Sequence, residues 1–581
     1  MNQPSSNPAP RFGALPEEGG TRVTVWAPWH AQLRVRFDGG EVSLTRQGDL
    51  HAGLVPGLHA GGRYRLVLPD GQAFPDPASR YQPEGVHGPS EVVDPDAFAW
   101  RSSAPTLSMA SLVLYEMHVG TFTAAGTFEA ARAELPRLAE LGVTAVELLP
   151  LHDFPGARGW GYDPAALFSP CRAYGTPDDL RRFVDDAHAV GLGVFVDVVY
   201  NHLGPDGAYL AAFGPVLTEA HRTAWGRAIN LSGPHSEGVR ELILQNALHW
   251  LEEYRVDGLR LDATFALVDD SEEHLLKALV RRVAPLSPRR LLIAEDDRNL
   301  AALVRPKAEG GYGLDGVWAD DLHHLLRRYV AGDRHGYFAP FPDRSAAIAE
   351  CLDRNWWREL PGSDAADLPS ERFVVCIQNH DQIGNRPRGD RLTEDVDLAT
   401  YGALSAVLLF APQTPLLFMG QEWAASTPFA YFTDHGEPLG AAVREGRRRE
   451  FQDFPGFAGE VPDPQAEETF EASRLRHEER HRSPHDAVEA LYRALLRLRP
   501  SLSGGVEASS PSEGLLRLRR GRHLLLASLG PAGAIDLALD GEVRTLLATD
   551  AEAFGGDGRT TRDSRRAVFA GPAALILEVT P

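Results

Sequence analysis

The sequence predicts an α/β protein: a (β/α)8 TIM barrel with an N-terminal immunoglobulin-like β-sandwich and a C-terminal all-β domain. Three observations lead there. Short apolar runs alternate with amphipathic helical stretches through the middle of the chain, while apolar and polar residues alternate with a period of two both before and after that region.

In order along the chain, residues 1–10 (MNQPSSNPAP) are expected to form a disordered tail. They lack the basic segment and apolar core of a secretory signal, which points to a cytoplasmic location. Residues 11–100 contain TRVTVWAP and QLRVRF between DGG, PDG and Pro-containing turns, the pattern of a small β-sandwich. From SLVLYEMHVGTF onward the pattern becomes strand then helix, as in VTAVELLPL and in DDLRRFVDDAHAVG leading into GVFVDVVYNH. The strands expected are LVLYEMH, VTAVELLP, GVFVDVVY, GLRLDA, LLIAED, GVWADD, FVVCIQNH and TPLLFMG. Eight such units between residues 101 and 500 suit a closed barrel with loop insertions better than an open doubly wound sheet. Residues 440–485 carry EGRRRE and RHEERHR, whose mixed signs read as a solvated helical face. From 501 to 581, LLRLRR, HLLLASLG and AALILEV lie between Gly-rich turns and read as a β-domain.

The formal charge of -22 argues against nucleic acid, whose binding draws on Lys and Arg neutralising phosphates. No apolar run is long enough to span a membrane. Cys171, Cys351 and Cys376 are widely spaced, which predicts structural thiols rather than a disulfide framework or a zinc site.

A barrel of this kind works at the C-terminal ends of its strands, so polar residues that close an apolar run are candidates for chemistry. Asp197 closes GVFVD and leads to His202, Asp262 closes GLRLD, Glu295 closes LLIAE, and Asp381 follows FVVCIQNH. One such Asp reads as a helix cap; four together point to a site. Arg260 and Asp262 are two apart and so share a strand face, and a neighbouring cation keeps a carboxylate ionised, as a nucleophile requires. Glycoside hydrolysis with retention needs one ionised and one protonated carboxyl group about 5 to 5.5 Å apart, a role open to Asp262 and Glu295 on consecutive strands. A metal-dependent hydrolase using His202, His380, Asp197 and Asp381 is the alternative.

The segments DVVYNH (197–202), GLRLDATF (258–265), AEDD (294–297) and QNHDQIGN (378–385) resemble, in order, the four signature segments of the α-amylase superfamily. The resemblance implies Asp262 as nucleophile, Glu295 as general acid/base, and Asp381 as the carboxylate that fixes hydroxyls of the distorted sugar. Arg260, His202 and His380 would surround them, with Asp197 supporting Arg260 and the nucleophile from behind. The segments RYQPEGVHGPSEVVDP (80–95), FPGARGWGYDP (154–164), GVWADDLHH (316–324) and YFTDH (431–435) resemble the maltooligosyltrehalose trehalohydrolase family within it. That likeness implies substrate contacts from Arg260 to Phe265, from Asp320, Asp321, His323 and His324, and from His380, Gln382 and Asn385. Tyr162 would stack on the sugar beside the scissile bond, and Trp160 reads equally as a second stacking ring or a core aromatic. Phe265 departs from relatives, which often carry a polar residue there.

Asn201 matches a calcium-binding position of many α-amylases, but Leu203 to about Glu237 is short and poor in carboxylates, so neither metal nor cofactor is expected. The reaction implied is release of trehalose from maltooligosyltrehalose by cleavage of the adjoining α-1,4 bond, with a maltooligosyltrehalose synthase as the functional partner that supplies the substrate. A glucan branching enzyme is the alternative within the superfamily, and an inactive glucan-binding scaffold the alternative outside catalysis.

Overall fold

A computed structural model describes residues 11–357, 364–452, 461–537 and 541–580. The expected tail, residues 1–10, lies outside the described residues. Eight strands close into a barrel in sequence order: β1 Leu114–Met117, β2 Ala145–Leu148, β3 Gly193–Val198, β4 Gly258–Leu261, β5 Leu291–Ala294, β6 Gly316–Trp318, β7 Phe373–Val375 and β8 Thr414–Phe418. Each lies within one of the eight runs expected from the sequence. Registers are parallel, with Leu114 beside both Ala145 on β2 and Leu416 on β8. Every residue of these strands is buried, which explains why they read as continuous apolar runs. The charged residues within them are Glu116, Glu147, Asp197 and Arg260.

The chain divides into two compact units. The first comprises the chain up to Ser102, Pro150–Asp185 and Val196–Arg290. Its N-terminal part holds two sheets. One orders Gly13–Glu17, Gly20–Trp26, Leu50–Val55 and Thr45–Gln47; the other orders Gly40–Ser43, Arg34–Phe37, Arg63–Val67 and Ala73–Phe74. Val23, Val25 and Val55 from the first share one apolar core with Val35, Tyr64 and Leu66 from the second, so the two sheets form a sandwich. This sandwich is tied to the helical part of the unit by a buried ion pair. Arg80 donates from Nε and Nη2 to the two carboxylate oxygens of Glu253 at 2.9 and 2.7 Å. Trp26 rests on Gly238, where an added Cβ would lie 1.8 Å from the indole nitrogen, so only glycine fits.

The second unit comprises Ser103–Leu149, Asp186–Phe195 and Leu291–Pro581. Its helix Leu398–Phe410 is apolar all round and buried from Thr400 onward, which requires cover on every side. The C-terminal strand Ala573–Thr580 supplies part of that cover. That strand belongs to a five-stranded sheet with Glu507–Ser509, Leu515–Arg520, His523–Ser528 and Glu542–Ala548, and a three-stranded sheet lies beside it in the chain. The charged stretch expected to be helical contains helix Leu439–Gln452, with mostly exposed side chains, followed by shorter helical turns. Cys171, Cys351 and Cys376 are buried and free. Among the described residues no helix is long and apolar enough to cross a membrane.

His152, fully buried just after β2, joins two segments of the first unit. Its Nδ1 donates to the Leu167 carbonyl at 3.0 Å, and its Nε2 accepts from the Val199 N–H at 3.3 Å. The bond from Val199 needs Nε2 without a proton, so the pair of bonds needs the neutral ring, and burial holds the His152 pKa down at about 4. A base whose folded pKa lies below its unfolded value near 6.5 contributes stability that is present above that value and is lost as pH falls towards 4. We expect the wild type to lose up to about 3 kcal/mol across that window from this group, and His152→Gln to lose correspondingly less. Urea unfolding at pH 7 and pH 4.5 checks this; equal losses in the two proteins would exclude His152 as a cause.

Candidate active site

The candidate residues fall into two groups, one in each unit. In the first, β3 and β4 bring Asp197, Arg260 and Asp262 together. The Asp262 N–H donates to the Val198 carbonyl at 3.1 Å, which holds the ends of the two strands level. Arg260 and Asp262 share a strand face, and Arg260 Nη1 donates at 2.7 Å to both Asp197 Oδ2 and Asp262 Oδ1. Arg260 is fully buried, Asp197 nearly so, and Asp262 is 8 % exposed, leaving its carboxylate as the part of the trio that reaches the surface. Directly after Asp262, Ala263 takes a left-handed conformation at φ 41°. A residue with a Cβ pays about 1–2 kcal/mol there, and the bend turns the chain out of the strand immediately behind the carboxylate.

Tyr162 joins this trio from the loop that follows β2. Its hydroxyl donates to Asp197 Oδ2 at 2.6 Å, and the Arg260 guanidinium lies 5.9 Å from its ring centre. The Tyr162 carbonyl in turn accepts from His202 Nε2 at 2.8 Å, and burial lowers the His202 pKa. Trp160 is 5 % exposed, in keeping with the core alternative.

Two features of this group were not singled out in the sequence. The stretch after Leu203 forms a hairpin, Leu217–Thr223 with Gly226–Ile229, and its turn presents Trp225. The Trp225 indole stacks flat on His202 at 5.2 Å and tilts against Phe265 at 6.2 Å, yet remains 46 % exposed. This contact accounts for an aromatic residue at position 265. The signal available beforehand was a lone Trp outside any apolar run.

The second group gathers around the ends of β5, β6 and β7. Glu295 is half-buried and lines a cavity of about 110 Å³ with Asp320, Asp321, His324 and Tyr337. Asp321 opens the helix Asp321–Val330 and is committed to holding neighbouring chain: its Oδ2 accepts from Asn299 Nδ2 at 3.0 Å and from the Trp357 N–H at 2.8 Å. His323 points inward at 1 % exposure, where burial holds its pKa well below the ordinary value. Of the four polar residues in this segment, Asp320, Asp321 and His324 reach the cavity wall.

The helix His380–Gly384 is capped by Asn379, whose side chain accepts from the Gln382 N–H at 2.8 Å. Gln382 reaches Asp320 Oδ2 at 3.4 Å and accepts from the Tyr337 hydroxyl at 3.2 Å. Asn385 Nδ2 donates to Asp381 Oδ1 at 3.3 Å, and the Asp381 carboxylate is 36 % exposed. His380 is bound by Glu116, a residue passed over in the sequence although a lone carboxylate inside the apolar run LVLYEMH was its signal.

These bonds bear on the metal alternative. Asp197 Oδ2 is engaged by Arg260 and Tyr162, His202 Nε2 by a backbone carbonyl and His380 Nδ1 by Glu116, so these atoms are committed within the protein. Among the described residues, no three His, Cys, Asp or Glu side chains are arranged to hold a metal ion.

Residues 95–214 match the family model described as the alpha amylase catalytic domain. Over 517 residues the chain is 47% identical to the malto-oligosyltrehalose trehalohydrolase of Deinococcus radiodurans, covering 86% of this chain and 84% of that protein. It is 38% identical over 500 residues to the enzyme of the same name from Saccharolobus solfataricus, covering 84% and 86%. A crystal structure from Salmonella typhimurium, of a protein provisionally described as an alpha amylase, superposes with a TM-score of 0.88 at 35% identity. That match covers 98% of this chain and 99% of the other.

The bonds around Arg260 set two different costs. Asp197→Ala leaves a buried guanidinium short of one carboxylate and is expected to lower the unfolding free energy by about 3–5 kcal/mol. Tyr162→Phe removes a single donor to the same oxygen and should cost about 1 kcal/mol. Denaturant titration separates the two, and a near-neutral Asp197→Ala would remove the buried pair as the support of this group.

Proposed function

The chain belongs to the malto-oligosyltrehalose trehalohydrolase family of the α-amylase superfamily, and on that premise we propose that it hydrolyses the α-1,4 bond joining a maltooligosaccharide to a terminal trehalose, releasing trehalose with retention of configuration. Identity to trehalohydrolases along nearly the whole chain carries this reading over the branching alternative. The buried Arg260 held between Asp197 and Asp262 supports the chemistry, because it orients the Asp262 carboxylate and compensates its charge.

In the proposed mechanism Asp262 attacks the anomeric carbon while Glu295 protonates the trehalose oxygen that leaves. Water, deprotonated by Glu295, then hydrolyses the glycosyl-enzyme. Asp381 accepts hydroxyls of the distorted sugar, and the Tyr162 ring, anchored through its hydroxyl to Asp197, presents a face to the pyranose. His202, Phe265, Asp320, Asp321, His323, His324, His380, Gln382 and Asn385 belong to the proposed substrate-binding set. In that set Asp321 holds backbone and His323 packs the helix start, Asp320, Asp321 and His324 line the cavity, and Gln382 bonds to Asp320 and Tyr337 at its edge. The domain limits 11–100, 101–500 and 501–581, a cytoplasmic location and supply of substrate by a maltooligosyltrehalose synthase belong to the same proposal.

Incubation with maltotriosyltrehalose is expected to yield trehalose and maltotriose. Branched product from amylose would replace this reading with transglycosylation, and no product from either would favour a binding scaffold. Asp262→Ala should abolish turnover, and Glu295→Gln should lower kcat on the order of 10²- to 10⁴-fold; near-normal rates would remove the residue concerned from the mechanism. Exhaustive chelation and dialysis should leave the rate unchanged, and a loss restored by a divalent cation would reinstate a metal.

A further inference from the structure

Glu116 is the third residue of β1, is 2 % exposed, and has no part in the mechanism above. Burying a carboxylate inside a barrel strand is costly unless specific donors meet it. Two do, and both belong to His380. The His380 backbone N–H donates to Glu116 Oε2 at 2.8 Å, and His380 Nδ1 lies 2.5 Å from Glu116 Oε1.

We propose that Glu116 is a positioning residue for the hydrolytic site: by taking the main-chain N–H and the Nδ1–H of His380 together, it fixes the tautomer and the direction of that imidazole. The proposal rests on His380 being one of the substrate-binding residues. An ionised carboxylate only accepts hydrogen bonds, so the nitrogen facing it carries a proton. The other ring nitrogen, Nε2, is thereby directed to the Asp381 side and lies 3.5 Å from Asp381 Oδ1. The backbone bond matters equally, since it anchors the first residue of the helix His380–Gly384 to β1. With both bonds in place the ring can neither flip nor slide away from Asp381. Trp318, with its ring centre 6.1 Å from that of His380, packs beside it.

A purely structural tie between β1 and the helix would need only an acceptor for the backbone N–H, which a glutamine also supplies. Glu116→Gln therefore separates the two roles. Its amide oxygen can keep the backbone bond, whereas its NH₂ group cannot accept from Nδ1–H. The test uses full-length protein labelled with ¹⁵N-histidine at pH 7, with His380→Gln to assign the resonances. Wild-type His380 should show a protonated Nδ1, and in Glu116→Gln that nitrogen should move to the unprotonated range. On maltotriosyltrehalose, kcat should fall on the order of 10- to 100-fold, the loss expected for a hydrogen bond to a charged group, with a smaller change in KM. In the His380→Gln background, Glu116→Gln should cause no further loss of kcat.

An unprotonated Nδ1 in the wild type overturns the proposal whether or not the variant folds. An unchanged Nδ1 in Glu116→Gln, or an equal loss of kcat in both backgrounds, overturns it as well. The proton on Nδ1 is read without substrate, so a failure of the trehalose-releasing reading is recognised separately, by the absence of trehalose from the wild-type reaction.

Discussion

One guanidinium organises the first group of site residues. Arg260 has lost all contact with water, and a cation in that position is stable only if the surrounding barrel returns what hydration gave it. It does so with two carboxylates, Asp197 from β3 and Asp262 from the end of β4, both at 2.7 Å from the same nitrogen. The consequences extend outward from there. Tyr162 is placed by its bond to Asp197, His202 by its bond to the Tyr162 carbonyl, and Trp225 by stacking on His202. Each member is oriented by the one behind it, and the chain of contacts ends in an exposed aromatic face.

The second group follows the same logic with a carboxylate at its root. Glu116 sits among apolar neighbours in β1 and is compensated by His380, which begins a short helix. From that helix Gln382 connects to Asp320 and Tyr337, while Asn385 meets Asp381. A barrel whose strands are otherwise built for burial thus spends its few internal charges near the strand ends, where catalysis in this architecture takes place. The bland requirement for a dry, close-packed wall and the chemical requirement for oriented charge are met by the same strands.

Much of this was legible beforehand. The eight strands could be read because full burial demands uninterrupted apolar runs, a pattern that survives in one dimension. Asp262 and Glu295 could be read because each directly follows such a run, and Asp197 because it is the last charged residue of its strand before His202. Glu116 could not be separated from its surroundings by that criterion, since it lies inside its run. Trp225 does not stand out in the sequence because it lies between Ala224 and Gly226 in no apolar run, and the stacking partner, His202, arrives from another segment. Asp321 and His323 were grouped with Asp320 and His324 by adjacency, although a helix turns successive residues through about 100° and so sends neighbours to different surroundings.

The amino-acid sequence by itself determined the barrel, its flanking β-domains and the superfamily, because those depend on periodicity and on the order of local segments. It also placed the carboxylates at strand ends. Only the tertiary structure decided which polar residue answers which. That Arg260 serves two carboxylates, that Glu116 holds His380, and that Phe265 packs on Trp225 are contacts between residues from 2 to 264 positions apart. Their partners are chosen by the close packing of a three-dimensional interior and by the need to compensate every buried charge, and neither is expressed in the spacing of residues along the chain.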